Sequence, residues 1–174
     1  EKKWVMVLHF DQRSMAFFNS NDLKTWEYKS QFEVGHEDCP ELFSLPVDGD
    51  ETNRKWILYS GSGHYYVGAF DGEQYKSETD EIKYNYGNCF YASQTYNNIP
   101  EKDGRRIQSC WGRISTPGMP FSQMMLFPVE FTLKSTAGGL RMFANPVREI
   151  ENIYTEKHEW KNLQPLTGEN ILSD

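Results

Sequence analysis

One short acidic segment contains the residue types and spacing that acid–base chemistry needs. Residues 36–41 contain a histidine and three carboxylates, Glu37, Asp38 and Glu41, and they directly precede an apolar segment. Crowded carboxylates beside aromatic residues favour the protonated form of at least one of them, and a general acid needs a protonated group. Pro40 cannot donate a hydrogen bond to a neighbouring strand, so it marks a strand start or a bulge. The alternative is an exposed acidic turn without a chemical role.

The histidines and cysteines indicate neither a metal site nor a disulfide framework. The four histidines show no His-Glu-x-x-His or paired spacing, which is typical of zinc sites. Cys39, Cys89 and Cys110 are odd in number, lie far apart and never form Cys-x-x-Cys. We therefore expect three buried thiols and no bound metal.

The elements that must position the acidic segment are predicted to be β-strands. Short runs rich in aromatic and β-branched residues are separated by Asp-Gly pairs at residues 48–49, 71–72 and 103–104. Asp-Gly is typical of the type I′ turn of a β-hairpin. Helical periodicity is nearly absent, so the sequence predicts an all-β, antiparallel fold.

A longer repeat is superimposed on these strands. Residues 3–8 (KWVMVL) resemble residues 55–60 (KWILYS) 52 positions later, and a third apolar strand at 106–111 follows 51 positions after that. Residues 15–26 likewise correspond to residues 65–75. Periods of about 50 residues with several strands each are typical of β-propeller blades. The alternative is chance similarity among β-hairpins.

Three such units are fewer than a closed propeller needs, because closed propellers have at least four blades. The chain is therefore expected to be part of a larger propeller or to close with a second copy. We expect a homodimer through the open propeller edges, with residues 4–10 and 121–131 as its apolar surfaces. The alternative is a monomer whose exposed faces are covered by its own termini.

The charge and hydropathy patterns exclude two classes of partner. The chain has 18 basic and 25 acidic residues, a net charge of −7. Nucleic-acid binding relies on basic side chains that meet phosphate, so this balance argues against it. No apolar run is long enough to cross a bilayer, and we expect no membrane partner.

Many segments of the sequence resemble glycoside hydrolase family 32, which contains levanases, inulinases and invertases. Residues 38–43 (DCPELF) resemble the family's Glu-Cys-Pro-Asp/Glu-Leu motif. Segments that resemble later strands of its catalytic domain follow in the same order: residues 45–49, 55–59, 66–72, 90–96, 103–107, 111–112, 117–121, 126–133 and 145–147.

The family's catalytic domain is a five-bladed propeller followed by a β-sandwich, so the resemblance implies a partial propeller of about three blades. In this interpretation residues 1–33 are the remainder of one blade, residues 34–83 the next, and residues 84–150 the final blade strands. Residues 151–174 would then be a tail toward the β-sandwich.

The resemblance also implies roles for individual residues. The family's general acid/base aligns with Asp38, which is one methylene shorter than the usual Glu, and Glu37 lies one position earlier. Either Asp38 acts, or a local bulge lets Glu37 act, or the acid function is impaired. Tyr91 and Trp111 match positions that line the fructosyl pocket, with core packing as the alternative, and Cys39 matches a neighbour of the acid/base.

Two of the family's motifs do not occur in these 174 residues. They are the Trp-Met-Asn-Asp-Pro-Asn-Gly segment, which supplies the nucleophile, and the Arg-Asp-Pro segment; Asp-Pro does not occur at all. Retaining hydrolysis needs two carboxyl groups about 5 Å apart, so we expect the chain alone to be inactive.

For the full-length family the resemblance implies hydrolysis of β-fructofuranosides such as levan, inulin or sucrose-like sugars. It implies no cofactor and a secreted or periplasmic location. The alternative function is a non-catalytic carbohydrate-binding or assembly module derived from the same propeller.

Overall fold

The chain folds almost entirely into β-strands. A computed structural model describes residues 3–11, 13–35, 38–159, 161–162 and 168. Within them lie twelve strands and one short 3₁₀ helix, Arg148–Ile153. The strands are β1 (Trp4–Phe10), β2 (Ser14–Ser20), β3 (Glu27–Glu33), β4 (Glu41–Val47), β5 (Asp50–Tyr59), β6 (His64–Phe70), β7 (Tyr75–Ser77), β8 (Ile82–Lys83), β9 (Phe90–Thr95), β10 (Arg106–Gly112), β11 (Met124–Thr136) and β12 (Gly139–Pro146). The prediction of an all-β chain is confirmed.

The strands form three antiparallel groups in chain order. The N-terminal sheet has the order β1-β2-β3. The middle sheet has the order β7-β6-β5-β4, with β8 also paired to β6, and the C-terminal sheet has the order β9-β10-β11-β12. A parallel bridge between Leu133 of β11 and Val47 of β4 joins the last two groups into one nine-stranded sheet.

The repeat of about 50 residues corresponds to strand order within these sheets. In the middle sheet β5 lies between β4 and β6, and in the C-terminal sheet β10 lies between β9 and β11. β1 matches β5 in sequence and pairs with β2 as β5 pairs with β6. The blade bounds 1–33, 34–83 and 84–150 stay a prediction.

Only one of the three Asp-Gly pairs forms the predicted two-residue turn. Asp48 and Gly49 join β4 to β5 with φ angles of 53° and 81°, as a type I′ turn requires. At the other two sites only the glycine has a positive φ and the loop is longer. Asp71, for example, accepts hydrogen bonds from the backbone N–H groups of Glu73 and Gln74, so its side chain builds a wider turn.

The core consists of two apolar clusters, and the second of them joins two sheets. The first lies on the middle and C-terminal sheets and includes Phe43, Ile57, Tyr65, Phe131 and Leu133. The second packs the N-terminal sheet against the middle sheet and is formed by Met15, Phe17, Val34, Leu58 and Tyr75. Burial of such side chains stabilises the fold by about 1.5–3 kcal/mol each. The second cluster fixes β1 beside the loop that precedes β4.

In the part of the chain that the structure describes, no helix is long and apolar enough to cross a bilayer.

Candidate functional site

Asp38 lies in the loop before β4, where the backbone takes an uncommon conformation. The next residue, Cys39, has φ 54°, the left-handed region that residues other than glycine seldom adopt. The backbone N–H of Gly61, just after β5, donates to the carbonyl of Asp38 at 2.8 Å. The loop that carries the predicted acid/base is therefore anchored to the middle sheet.

The carboxyl group of Asp38 is held by side chains from the other two sheets. The Tyr91 hydroxyl on β9 donates to Oδ2 of Asp38 at 2.7 Å. Nδ1 of His9 on β1 lies 3.1 Å from Oδ1. The Asp38 side chain stays 52% exposed, so its remaining lone pairs are open to a ligand.

Two aromatic rings lie next to this carboxyl group, and a cationic side chain packs over both of them. Tyr91 and Trp111 are cross-strand partners on β9 and β10, with ring centroids 6.3 Å apart. The guanidinium of Arg113 lies 4.5 Å from the Tyr91 ring centroid and 5.9 Å from that of Trp111. Trp111 is 37% exposed, so one ring of the pair offers a face on which a sugar could stack.

The contact with Asp38 changes the acidity of Tyr91. A neutral hydroxyl that donates to a carboxylate resists ionisation, and this contact, followed by burial, raises the pKa of Tyr91. The Arg113 guanidinium acts in the opposite direction. Tyr91 therefore serves this site as a hydrogen-bond donor.

Cys39 lies beside the site without the features of a nucleophile. It is partly buried, as is Cys89, so the prediction of buried thiols is confirmed for Cys110 alone. Burial, together with the charges of Asp38 and Glu41, raises the pKa of the Cys39 thiol. The thiolate is the nucleophilic form of cysteine, so this environment disfavours it. Cys39 instead packs against Gly61 on the neighbouring turn.

Glu41 belongs to the acidic segment but points into a different environment. Its carboxylate accepts hydrogen bonds from the backbone N–H and the hydroxyl of Thr95 on β9. Burial raises the pKa of Glu41, while the Thr95 contacts and the charge of Arg106 oppose that rise. Glu41 thus connects β4 to β9 away from the exposed carboxyl.

The structure brings together four of the five residues that the sequence predicted for the site: Asp38, Cys39, Tyr91 and Trp111. The fifth, Glu37, lies outside the described residues. Sequence reasoning missed His9 and Arg113. Alternation along β1 places His9 on the same face as the partly buried Val7, but only the packing of two sheets brings it to Asp38.

A metal centre finds no support in the part of the chain that the structure describes. Three or more His, Cys, Asp or Glu side chains are nowhere clustered there closely enough to hold an ion. The arrangement instead offers one exposed carboxyl, which can exchange a proton with an oxygen, beside an aromatic surface.

Comparison with known proteins relates most of the chain to one family. The family model described as "Glycosyl hydrolases family 32 N-terminal domain" matches residues 1–146. The chain is 37% identical to a levanase of Bacillus subtilis (strain 168), over 94% of this chain and 28% of that protein. It is 28% identical to the extracellular exo-inulinase inuE of Aspergillus niger, over 90% of this chain and 34% of that protein. The chain thus spans about a third of the length of these relatives.

The fold of the chain also resembles the folds of solved structures. The crystal structure of exo-inulinase from Aspergillus awamori matches with a TM-score of 0.71 and 24% identity, over 83% of this chain and 33% of that one. The β-fructofuranosidase BmSUC1 of Bombyx mori matches with a TM-score of 0.60 and 21% identity, over 88% of this chain and 36% of that one. The prediction of a partial propeller fold is confirmed by this likeness.

Proposed function

Because the chain belongs to glycoside hydrolase family 32, we propose that it acts on β-fructofuranosides such as levan, inulin or sucrose-like sugars. The observation that carries the proposal is the exposed carboxyl of Asp38, held by Tyr91 beside the Tyr91–Trp111 pair. The names of the relatives support the substrate class, since they include a levanase and an exo-inulinase.

In this proposal Asp38 is the general acid/base that protonates the leaving glycosidic oxygen and then activates water. Tyr91 orients the carboxyl, and the exposed ring of Trp111 takes the apolar C–H face of a fructosyl unit. Glu37, one position before Asp38, is the other candidate for the acid/base role. Asp38→Asn and Glu37→Gln variants separate the two, because only the residue that transfers the proton is indispensable.

The mechanism of the proposed reaction needs a second carboxyl group. Retaining hydrolysis places a nucleophile about 5 Å from the acid/base, on the other side of the bond that breaks. The Asn-Asp-Pro segment that the resemblance assigns to this nucleophile does not occur in the 174 residues. We therefore propose that these residues alone do not hydrolyse levan or sucrose.

Reducing-sugar release tests the proposal in two forms of the protein. We expect the 174-residue chain to release no more sugar than a blank. The full-length gene product should hydrolyse one or more members of a panel of levan, inulin and sucrose. Release by the 174-residue chain that Asp38→Asn abolishes would contradict the proposed inactivity, and a full-length product inert toward the whole panel would contradict the proposed substrate class.

A second candidate function is carbohydrate binding without hydrolysis, in a binding or assembly module. The exposed Tyr91–Trp111 surface favours it, because stacking on a sugar needs no second carboxylate. Titration of a fructan oligosaccharide into the full-length gene product separates the candidates. Binding lost in Trp111→Ala, with no sugar release at any pH, would identify a binding module.

We also propose that the 174-residue chain associates with a second copy through the open edge of β1 and the apolar surface of residues 121–131. β1 exposes Trp4, Val5, Leu8 and Phe10, and the described residues leave one of its edges unpaired. Residues 121–131 expose a second apolar group that includes Met125 at 60% and Phe127 at 66%. Unpaired strand edges and exposed apolar surface favour the association of two chains.

A further inference from the structure

We propose that His9 is a positioning residue for the Asp38 carboxyl. The proposal deepens, and for its catalytic consequence rests on, the proposed acid/base role of Asp38. Its basis is the contact between Nδ1 of His9 and Oδ1 of Asp38 at 3.1 Å. The two residues are 29 positions apart: His9 lies on β1, and Asp38 lies in the loop before β4.

The strand that carries His9 determines to which face the His9 side chain points. Successive side chains of a strand point to opposite faces, so His9 shares a face with Val7, which packs against the second core cluster. The residues on either side, Leu8 and Phe10, are 45% and 46% exposed on the other face. The imidazole is therefore directed inward, and its side chain is only 28% exposed.

The surroundings of the two ring nitrogens favour one position for the hydrogen. Nε2 of His9 is buried and has no hydrogen-bond partner among the described residues, so it is unsatisfied whether or not it carries the hydrogen. Nδ1 faces Oδ1 of Asp38, and an ionised carboxylate accepts hydrogen bonds but cannot donate them. The neutral ring with its hydrogen on Nδ1 therefore offers a donor to Oδ1, whereas the other tautomer would turn a lone pair toward the carboxylate.

The carboxyl group of Asp38 is then contacted from two directions. Nδ1 of His9 lies 3.1 Å from Oδ1 on the side of the N-terminal sheet, and the Tyr91 hydroxyl donates to Oδ2 from the C-terminal sheet. An ionised carboxylate has about four acceptor positions, so about two are left for a substrate or water. Asp38 is followed by a left-handed residue and is one methylene shorter than Glu, and the paired donors fix where this shorter side chain presents its oxygens.

Substitutions at residue 9 separate positioning from packing. In His9→Asn the amide nitrogen occupies about the place of Nδ1 and can donate to Asp38. In His9→Gln the amide nitrogen lies one atom further out, and His9→Ala removes the donor. Leu8→Ala is the matched control, because it shortens the neighbouring exposed side chain of the same strand.

The first measurement is NMR on the folded chain and needs no catalysis. Long-range ¹H–¹⁵N spectra should show the Nδ1–H form of His9. The ¹³Cγ resonance of Asp38 should shift in His9→Ala and His9→Gln, return to its wild-type position in His9→Asn, and stay unchanged in Leu8→Ala. An Nε2–H form, or an Asp38 resonance that His9→Ala leaves unchanged, would overturn the proposal.

The second measurement is fructan hydrolysis by the full-length gene product. Misplacing a catalytic group by about 1 Å can cost about a hundredfold in rate. We expect kcat to fall by about tenfold to a hundredfold in His9→Ala and His9→Gln with little change in KM, and to recover in His9→Asn. An unchanged kcat in His9→Ala would overturn the positioning role and leave the proposed function standing. A wild-type product inert toward every fructan would overturn the proposed function. The NMR result would still show whether His9 contacts the Asp38 carboxyl.

Discussion

Gly61 and Cys39 approach each other so closely that residue 61 has no room for a side chain. A Cβ atom on Gly61 would lie 2.7 Å from the Cβ of Cys39 and 3.2 Å from the Cα of Ala92. The same glycine donates its N–H to the carbonyl of Asp38 and accepts the N–H of Ser93. It therefore connects the Asp38 loop to the strand that carries Tyr91.

The first prediction is that Gly61→Ala destabilises the protein and disturbs the site. The new methyl group meets Cβ and backbone atoms, which cannot move aside cheaply, so the free energy of unfolding should fall by about 1–3 kcal/mol. Urea unfolding measures the change. Gly35→Ala is the matched control, because among the described residues no atom outside its chain neighbours lies within 4 Å of a Cβ placed there. Equal stability of the two variants would contradict the prediction.

The second prediction concerns the acidity of Tyr91. The hydrogen bond to the Asp38 carboxylate is the largest cause of its raised pKa, so Asp38→Asn should lower the pKa of Tyr91 toward the ordinary value of 10.0. The ¹³Cζ resonance of Tyr91, followed as the pH rises, measures the midpoint. Asp80→Asn changes an exposed carboxylate between β7 and β8 and should leave the midpoint where it is. A midpoint unaffected by Asp38→Asn would show that the contact does not persist in solution.

The third prediction is a pH dependence that originates in Glu41. Burial raises its pKa above the ordinary value of 4.5, so the folded chain holds this proton more tightly than the unfolded chain does. The contribution of Glu41 to the free energy of unfolding is therefore full below pH 4.5 and is lost as the pH rises through the folded pKa. Glu41→Gln cannot ionise and should gain stability relative to wild type over that range.

Denaturation with urea at intervals between pH 4 and pH 8 measures that difference. Gln keeps one oxygen that can accept from Thr95, so the substitution mainly removes the charge. Glu33→Gln, at the exposed end of β3, provides the control. A difference between Glu41→Gln and wild type that stays constant with pH would refute the assignment.

The fourth prediction concerns Arg105, which connects the loop before β10 to the 3₁₀ helix. Its guanidinium donates to Asp103 and Glu149, and this pairing lowers the pKa of each carboxyl to about 2. The stabilisation is full above the ordinary values of 3.8 and 4.5 and is lost as the pH falls through about 2. In Arg105→Ala both carboxyls should titrate close to their ordinary values.

Carboxyl ¹³C titration of Asp103 and Glu149 measures these midpoints directly. Arg148→Ala is the matched control, because Arg148 is 79% exposed and lies 3.8 Å from Glu149. We expect it to move the midpoints much less than Arg105→Ala does. Equal shifts in the two variants would mean that general surface charge, rather than the Arg105 contacts, sets the acidity.

The fifth prediction is that the 174-residue chain self-associates. Sedimentation equilibrium at micromolar concentration should give an average mass above 20.4 kDa. Leu8→Lys places a charge on the exposed face of β1 and should shift the equilibrium toward the monomer. Leu23→Lys puts the same charge on an exposed bend between β2 and β3 and is the control. A single 20.4 kDa species across a tenfold dilution would contradict the association.

Sequence patterns predicted antiparallel strands, but they could not predict contacts between sheets. Residues 3–8 and residues 55–60 lie largely in β1 and β5, because a local apolar pattern is enough to indicate a strand. The contact of His9 with Asp38 depends on how two sheets pack against each other, and no spacing in the sequence records that.

The acidic segment also contained features that the sequence alone could not predict. Its residue types indicated carboxylate chemistry without showing which side chain would be exposed. The structure leaves Asp38 open and directs Glu41 to Thr95. The left-handed backbone at Cys39 lies between them, and a sequence without glycine at that position gives no sign of it.

The junction between the middle and C-terminal sheets contains little strand pairing. Among the described residues, Leu133 and Val47 form the one strand bridge there, beside the N–H of Asp48 bound to the carbonyl of Leu133. Within each sheet, neighbouring strands share several such pairs. Side chains supply most of the contact across the junction, among them the stacked rings of Phe43 and Phe131 in the first core cluster. The cohesion of the nine-stranded sheet therefore depends at this seam on the shape of its side chains rather than on a continuous backbone ladder.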